Sequence, residues 1–248
     1  LTTISLNLSQ VKEKPSSKEK PESASRAVVM LSGGLDSTVA AYIAKSEKYA
    51  LSAITFCYGQ KHDKEIDQAF RIGIELGVTL HDMVSLDIPY SRSSLLNKEE
   101  IKPASSPGIP ATWVAQRNTI FLALAASYAE QVDAQHIFVG FNAIDYSGYP
   151  DCRAEFVQAI QKALNLASKR FVEQRIPIRI HTPLINLTKA QIIQKGSELQ
   201  VPFHLTWSCY NGGDRACGVC DSCKFRLKGF REAGLEDPIG YERYTNGQ

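Results

Sequence analysis

The stretch that most limits how this chain can fold is Ser32-Gly33-Gly34-Leu35-Asp36-Ser37, set between an apolar run at 27–31 and a segment of helical spacing at 38–48. Ala27, Val28, Val29, Met30 and Leu31 have the length and character of a buried strand, while Val39, Ala40, Ile43 and Ala44 recur on one helix face. A strand, a glycine turn and a helix therefore follow without a break. Two glycines let the backbone approach a ligand closely, and the helix behind them aims unpaired N–H groups and a partial positive charge at it. An oxyanion is the natural guest of such a turn, and Ser32 and Ser37 add hydroxyl donors. A pyrophosphate or nucleotide phosphate is expected there; the plain alternative is an ordinary Ser-Gly turn. Neither the Gly-x-x-x-x-Gly-Lys-Ser/Thr of a kinase-type phosphate loop nor the Gly-x-Gly-x-x-Gly of a dinucleotide fold is present.

Ser-Gly-Gly-x-Asp-Ser directly after a buried strand resembles the pyrophosphate loop of the ATP-pyrophosphatase superfamily, whose members adenylate a substrate oxygen and release pyrophosphate. That resemblance implies that Leu31, Ser32, Gly33, Gly34, Leu35, Asp36, Ser37 and Thr38 bind ATP.

Further along, 51–56 leans β-branched and aromatic and predicts a second strand, ending in Cys57-Tyr58-Gly59-Gln60-Lys61-His62. A helix is predicted over 64–76, with Ile66, Ala69, Phe70, Ile72 and Gly73 inward and Gly77 as its stop. Met83, Val84 and Leu86 mark a third strand. Residues 89–112, rich in proline and serine and without a clear period, read as a long insertion of the lid or substrate-loop kind. An apolar helix over 118–131 follows, expected to be almost wholly buried, with Arg117 and Asn118 at its entrance. A strand at 136–139 then leads into the polar loop 141–153, and a helix over about 154–170 closes it. A short strand at 178–181 and a helix capped by Thr188 complete the alternation. Strands separated by helices of this length require right-handed crossovers and a parallel sheet covered on both faces. In such α/β sheets ligands collect at the carboxyl ends of the strands, so the glycine loop and the segment after Phe56 should face one cleft.

The 248 residues are 44% hydrophobic with a formal charge of +2, enough for one large domain or one domain with a small appendage, and nothing in that balance demands a polyanion partner. No apolar run reaches the length of a membrane span and no signal-peptide pattern opens the chain, so a soluble cytoplasmic protein is expected. Residues 10–25 are crowded with Lys, Glu, Ser and Pro, and the whole of 1–25 is read as a disordered tail outside the fold.

Four of the six cysteines form Cys209-x7-Cys217-x2-Cys220-x2-Cys223. Soft thiolates grouped this tightly suit tetrahedral Zn(2+), and with sulfur at every position such an ion is structural. A redox or sulfur-carrying Cys-x-x-Cys is the alternative. Cys57 and Cys152 are read as small buried residues. The resulting division is a tail at 1–25, an ATP-binding α/β domain at 26–205 and a zinc-binding C-terminal region at 206–248.

Taken together, the glycine loop, Tyr58-Gly59-Gln60, Arg117-Asn118, Ser147-Gly148-Tyr149-Pro150-Asp151-Cys152-Arg153, Thr182-Pro183-Leu184 and the four cysteines closely resemble the 7-cyano-7-deazaguanine synthase family from about residue 26 to 235. The resemblance implies a parallel doubly wound sheet of the adenine nucleotide alpha hydrolase-like kind, with a small C-terminal region in which four cysteines bind zinc. It implies an ATP-dependent carbon–nitrogen ligase that turns 7-carboxy-7-deazaguanine and ammonia into the nitrile precursor of queuosine and archaeosine, by way of an adenylated acid and an adenylated amide. On this reading Asp36, Arg117 and Lys189 are catalytic: Asp36 helps to hold Mg(2+), Lys189 reaches the phosphates, and Arg117 holds a carboxylate or phosphate. Tyr149, Asp151 and Arg153 bind the flat heterocycle, whose N–H edge a carboxylate can accept from. Two departures stand out: the family usually has an acidic residue where this chain has Cys57, and a glycine where it has Gln116. The rivals are a tRNA-thiolating enzyme of the same superfamily, which would want a basic RNA-binding appendage, and a zinc-stabilised nucleic-acid-binding module without catalysis. No direct nucleic-acid or membrane partner is expected, and a homodimer is open.

Overall fold

The computed structural model describes residues 3–7, 24–59, 64–88, 93, 96, 109, 112–142, 149–211 and 213–242. Its centre is a six-stranded sheet. In chain order the strands are β1 (Thr3–Asn7), β2 (Arg26–Met30), β3 (Ala50–Cys57), β4 (Leu80–Ser85), β5 (His136–Phe138) and β6 (Arg179–His181). In space they run β1-β4-β3-β2-β5-β6. All neighbouring pairs are parallel except β1 with β4, which is antiparallel. The helices are α1 (Leu35–Ser46), α2 (Lys64–Leu76), α3 (Arg117–Gln131), α4 (Ala154–Ala167), α5 (Lys169–Gln174), α6 (Lys189–Glu198) and α7 (Asp221–Glu232).

The pleat sends alternate residues of β2 to opposite faces. Ala27, Val29 and Leu31 pack with Ala41 and Ala44 of α1 and Ala69, Ile72 and Leu76 of α2. Val28 meets Phe121, Leu122 and Ala125 of α3 and Val157 of α4 on the other face. Both faces are thus covered, which is why β2 reads as an unbroken apolar run rather than an alternating one. Chain order runs outward from β2 through β3 to β4 and then returns to β5 on the other side of β2. That reversal opens a crevice at the carboxyl ends of β2 and β5, where an open α/β sheet binds its ligand.

Three features differ from the sequence expectations. Thr3–Asn7 is a strand paired with β4, not part of a tail. Thr-Ile-Ser-Leu-Asn alternates with the period of a strand, a signal masked by the polar residues after it. Residues 8–23 lie outside the described residues. α3 is amphipathic rather than wholly buried: Phe121, Leu122, Ala125, Ala126 and Ala129 face the sheet, whereas Ala123 and Ile120 are exposed. The helix predicted over about 154–170 is two, since Ser168 takes extended backbone and its hydroxyl accepts from the Phe171 N–H to cap α5. α7 was not foreseen. It packs on α6 through Gly229, where a Cβ would lie 2.4 Å from Lys189 Cγ, and it sends Phe230 into a core shared with Leu35 and Val39 of α1 and Ile192 and Ile193 of α6. Among the described residues no helix is long and apolar enough to cross a membrane.

Candidate active site

Loop, cleft wall and cysteine cluster all converge on the first turn of α1. Gly33 has φ +82°, a left-handed conformation that a side chain resists, and a Cβ there would lie 2.0 Å from the Glu65 carbonyl oxygen. Close packing against α2 thus fixes the identity of this glycine. Within the loop, the Ser37 hydroxyl sits 2.9 Å from the Ser32 hydroxyl, and the Ser32 and Gly34 N–H groups donate to Ser37 Oγ and Ser32 Oγ at 3.2 Å each. Thr38 Oγ1 donates to the Gly34 carbonyl at 2.7 Å. From β5, Gly140 closes the floor: a Cβ there would fall 2.5 Å from the Ser37 nitrogen.

A cleft of about 350 Å³ opens above this loop. It is within the range of small-molecule sites. It is lined by Ser32, Gly34, Leu35, Asp36 and Ser37 of the loop, by Tyr58, Arg117, Phe121, Tyr149 and Cys152, and by Lys189, Trp207 and Tyr210. Lys189 is the first residue of α6, placed by a capping box between Thr188 and Gln191. Its Nζ donates to both carboxylate oxygens of Asp36, at 2.7 and 2.6 Å. Two groups far apart in sequence are therefore one ion pair at the mouth of the loop.

Arg117 opens α3 and is held in the wall. Its Nη1 donates to the Tyr58 hydroxyl at 3.3 Å, and its Nε is buried without a hydrogen-bond partner. Burial works against its charge, but Tyr58, Tyr149, Cys152 and Asp151 more than offset that and raise its pKa. It is a permanent cation with an unused donor, suited to an anionic ligand. Cys152 behind it is pushed up to about 12, first by burial and then by Asp151, so at neutral pH it is a thiol. Burial also raises the Tyr149 pKa, and its hydroxyl is 2.6 Å from Thr112 Oγ1.

The four cysteines come together as predicted. Their sulfurs lie within 4.8 Å of one another and all four residues are buried. The Cys217 and Cys223 sulfurs are 3.9 Å apart, close to the spacing of two thiolates on one tetrahedral ion with metal–sulfur bonds of about 2.3 Å. The N–H groups of Asn211 and Cys217 donate to Cys209 Sγ, and that of Cys220 to Cys217 Sγ, which stabilises negative sulfur. This donor set fits a metal ion. It is also tied to the glycine loop. The Trp207 N–H donates to the Gly33 carbonyl at 2.9 Å and its indole N–H to the Cys209 carbonyl at 3.1 Å. Lys64, at the start of α2, lies 3.7 Å over the Trp207 ring and donates to the carbonyls of Gly213 and Asp214 at 2.8 Å each.

Residues 26–234 match the family described as queuosine biosynthesis protein QueC. The chain belongs to this family. Relatives named 7-cyano-7-deazaguanine synthase include those of Trichormus variabilis (47% identical, covering 87% of this chain and 98% of that one) and Acetivibrio thermocellus (49%, 89% and 99%). One from Pseudomonas putida is 48% identical over 87% of this chain and 98% of its own. A solved 4-thiouridine synthetase–RNA complex with bound ATP aligns over 85% of this chain and 50% of that one, at 16% identity and a TM-score of 0.49.

Seen against the family, the departure at Gln116 acquires a physical meaning. Gln116 has φ +59°, in the left-handed region, at the N-cap of α3. A glycine takes that conformation freely, whereas glutamine holds it under a strain of about 1 kcal/mol. Asp151 and Arg153 are not placed as the sequence suggested. Asp151 is buried behind the wall: one oxygen accepts from the Asn118 N–H at 3.2 Å, bracing the start of α3, and the other has no hydrogen-bond partner. Arg153 is exposed at the head of α4 and is not among the described residues lining the cleft. The local run Tyr-Pro-Asp-Cys-Arg turns through a short 3₁₀ segment, Pro150–Cys152, which sends successive side chains in different directions. The parts of the motifs at 60–62 and 143–148, and most of the insertion at 89–112, lie outside the described residues. The sequence reading passed over Glu65, Gly140 and Trp207. Gly140 could have been noticed as a glycine directly after a strand; nothing local marks Trp207.

Proposed function

We propose that this chain is a 7-cyano-7-deazaguanine synthase. It converts 7-carboxy-7-deazaguanine and ammonia to the nitrile, in two adenylations at one site that each release pyrophosphate. The observation that carries the reading is the cleft itself. A glycine loop at a helix N-terminus, a lysine–aspartate pair and a buried arginine converge in a chain 47–49% identical to synthases of that name over nearly their whole length.

Each part has a task in that chemistry. A carboxylate does not expel oxide, so its oxygen must first be joined to AMP; pyrophosphate then leaves across Ser32, Gly33, Gly34 and the first N–H groups of α1, which stabilise the charge it carries away. Lys189 turns from Asp36 to the phosphates when nucleotide enters. Asp36, so released, would hold Mg(2+), an ion suited to carboxylate and phosphate oxygens that would supply positive charge for the leaving group. Arg117 receives the substrate carboxylate through its unused Nε–H. Tyr149 supplies a flat face for the heterocycle, while Asp151 braces the start of α3 from behind the wall. Cys209, Cys217, Cys220 and Cys223 would hold Zn(2+), which would stabilise the C-terminal fold and, through Trp207, the position of Gly33. Six cysteines, none in a disulfide, suit a reducing compartment, and the cytoplasm is where we place the protein. A sulfur-transfer role is disfavoured because Cys152, the thiol in the cleft, is held protonated by burial.

The test is mass spectrometry of products after incubating the zinc-loaded protein with ATP, magnesium, ammonium and 7-carboxy-7-deazaguanine, beside Asp36→Ala. Nitrile and AMP from the wild type but not the variant support the reading. Absence of both amide and nitrile from the wild type refutes it.

A further inference from the structure

Every route from a carboxylate to a nitrile sheds protons from nitrogen, and the roles above name no group to take them. Ammonium must lose one proton before its lone pair can attack the acyl carbon and form the C–N bond, and the nitrogen sheds a second as the C–O bond to AMP breaks and the amide forms. The amide, once its oxygen is adenylated, must lose both remaining N–H protons. As the last one leaves, its electron pair becomes the third carbon–nitrogen bond and AMP departs with the C–O electrons.

The cleft contains a side chain suited to this. Glu65, in the first turn of α2, lines it together with Arg117. Its main chain is pressed against Gly33, which fixes the point on α2 from which its side chain starts, next to the glycine loop. Among the described residues no hydrogen bond or ion pair is made by that carboxyl. Asp36, by contrast, is paired with Lys189, and Asp151 is bonded to the α3 N-terminus. The charged and titratable groups lining the same space are Asp36 from α1, Arg117 from α3, Lys189 from α6, Arg226 from α7, Tyr58 after β3, Tyr149 and Cys152 before α4, and Tyr210 after Cys209. Burial pushes the Glu65 carboxyl up to about 7, with Arg117 pulling it back down, which leaves it a base at slightly alkaline pH. Tyr149 and Cys152 are pushed the other way for that task, each held protonated by burial.

We propose that Glu65 is the proton acceptor of the cleft, taking a proton from incoming ammonium and then from the adenylated amide. The inference rests on the functional reading above and names the group that reading leaves open.

The test is Glu65→Gln, with Glu65→Asp beside it, in the zinc-loaded protein. Three rates are compared across pH 6–9: pyrophosphate exchange into ATP dependent on the carboxylate substrate, amide and nitrile formation from ammonium, and hydroxamate formation from hydroxylamine, which is already neutral at pH 7. Glu65→Gln should keep exchange within about threefold of the wild type and lose about 10²–10⁴-fold in amide and nitrile formation. It should recover when hydroxylamine is the nucleophile, and lose the rise in rate centred near pH 7. Glu65→Asp, which keeps a carboxyl, should retain part of that rise and serves if the glutamine variant does not fold. Normal exchange with unimpaired nitrile formation in Glu65→Gln, or exchange that falls in step with nitrile formation, overturns the inference alone. A wild type without acid-dependent exchange overturns the functional reading, and this inference with it.

Discussion

Arg226 of α7 is the largest fully buried side chain among the described residues, and removing it should destabilise the protein more than any cavity its volume implies. The side chains of Arg226 and Asp237 are 2% and 4% exposed. The guanidinium donates twice to the Asp237 carboxylate, at 2.8 and 2.9 Å, and also to Thr206 Oγ1 at 2.7 Å and to the Phe203 carbonyl at 3.1 Å. Asp237 in turn accepts from the Tyr241 hydroxyl at 2.6 Å. Arg226→Met keeps much of the volume but leaves a buried carboxylate without its counter-charge, and breaking one side of such a pair costs about 3–5 kcal/mol. For a chain of this size each kcal/mol shifts Tm by about 2–4 °C, so a fall of about 6–20 °C is expected. The double variant Arg226→Met, Asp237→Asn removes the stranded charge and keeps an acceptor for Tyr241; it should regain about 2 kcal/mol. Urea unfolding of zinc-saturated wild type, single and double variants measures both numbers. A single variant within about 1 kcal/mol of wild type, or a double variant no more stable than the single, would refute the reasoning.

Three further outcomes follow from the geometry. Gly33→Ala should lose about 2–4 kcal/mol by urea unfolding, from backbone strain at positive φ and the overlap with Glu65, together with substrate-dependent pyrophosphate exchange. Gly34→Ala, at φ −79° and 3.2 Å from Ser32 Oγ, should be far milder. Lys64→Met removes two charge-assisted bonds and the contact with Trp207, each bond worth about 1.5–3 kcal/mol, and should speed metal release to a chromogenic chelator at least tenfold; unchanged release would sink the link. His81 is buried, with Nε2 2.9 Å from Thr55 Oγ1 and Nδ1 without a partner, and burial lowers its pKa to about 4. The unfolded chain then binds the extra proton first, so stability is full above about pH 6.5 and falls by about 3 kcal/mol as pH drops to about 4. His81→Gln should flatten that part of the pH–stability curve, and an unchanged slope would show that other groups cause it.

Much of this protein was legible before any coordinates. The strand, glycine turn and helix at 27–46, the helix at 64–76, the Thr188 cap and the cysteine cluster are set by neighbours in the chain: the period of apolar residues, the torsions open to glycine, the reach of a hydroxyl to the next turn. Those local rules determined most of the strands and helices, β1, α7 and the break between α4 and α5 excepted, and with them a parallel sheet whose ligand is expected at its carboxyl edge. What only the tertiary structure decided is which distant side chains meet there. Lys189 finds Asp36 because α6 packs on α1, Trp207 reaches Gly33 because the cysteine-bearing segment returns over the loop, and Glu65 faces the cleft because α2 starts where β3 ends. Asp151 turns inward and Arg153 outward although they are two residues apart, since a 3₁₀ turn rather than a loop of fixed period carries them. Such pairings depend on the crossing of whole elements, and a period along the chain carries no record of what lies across the sheet.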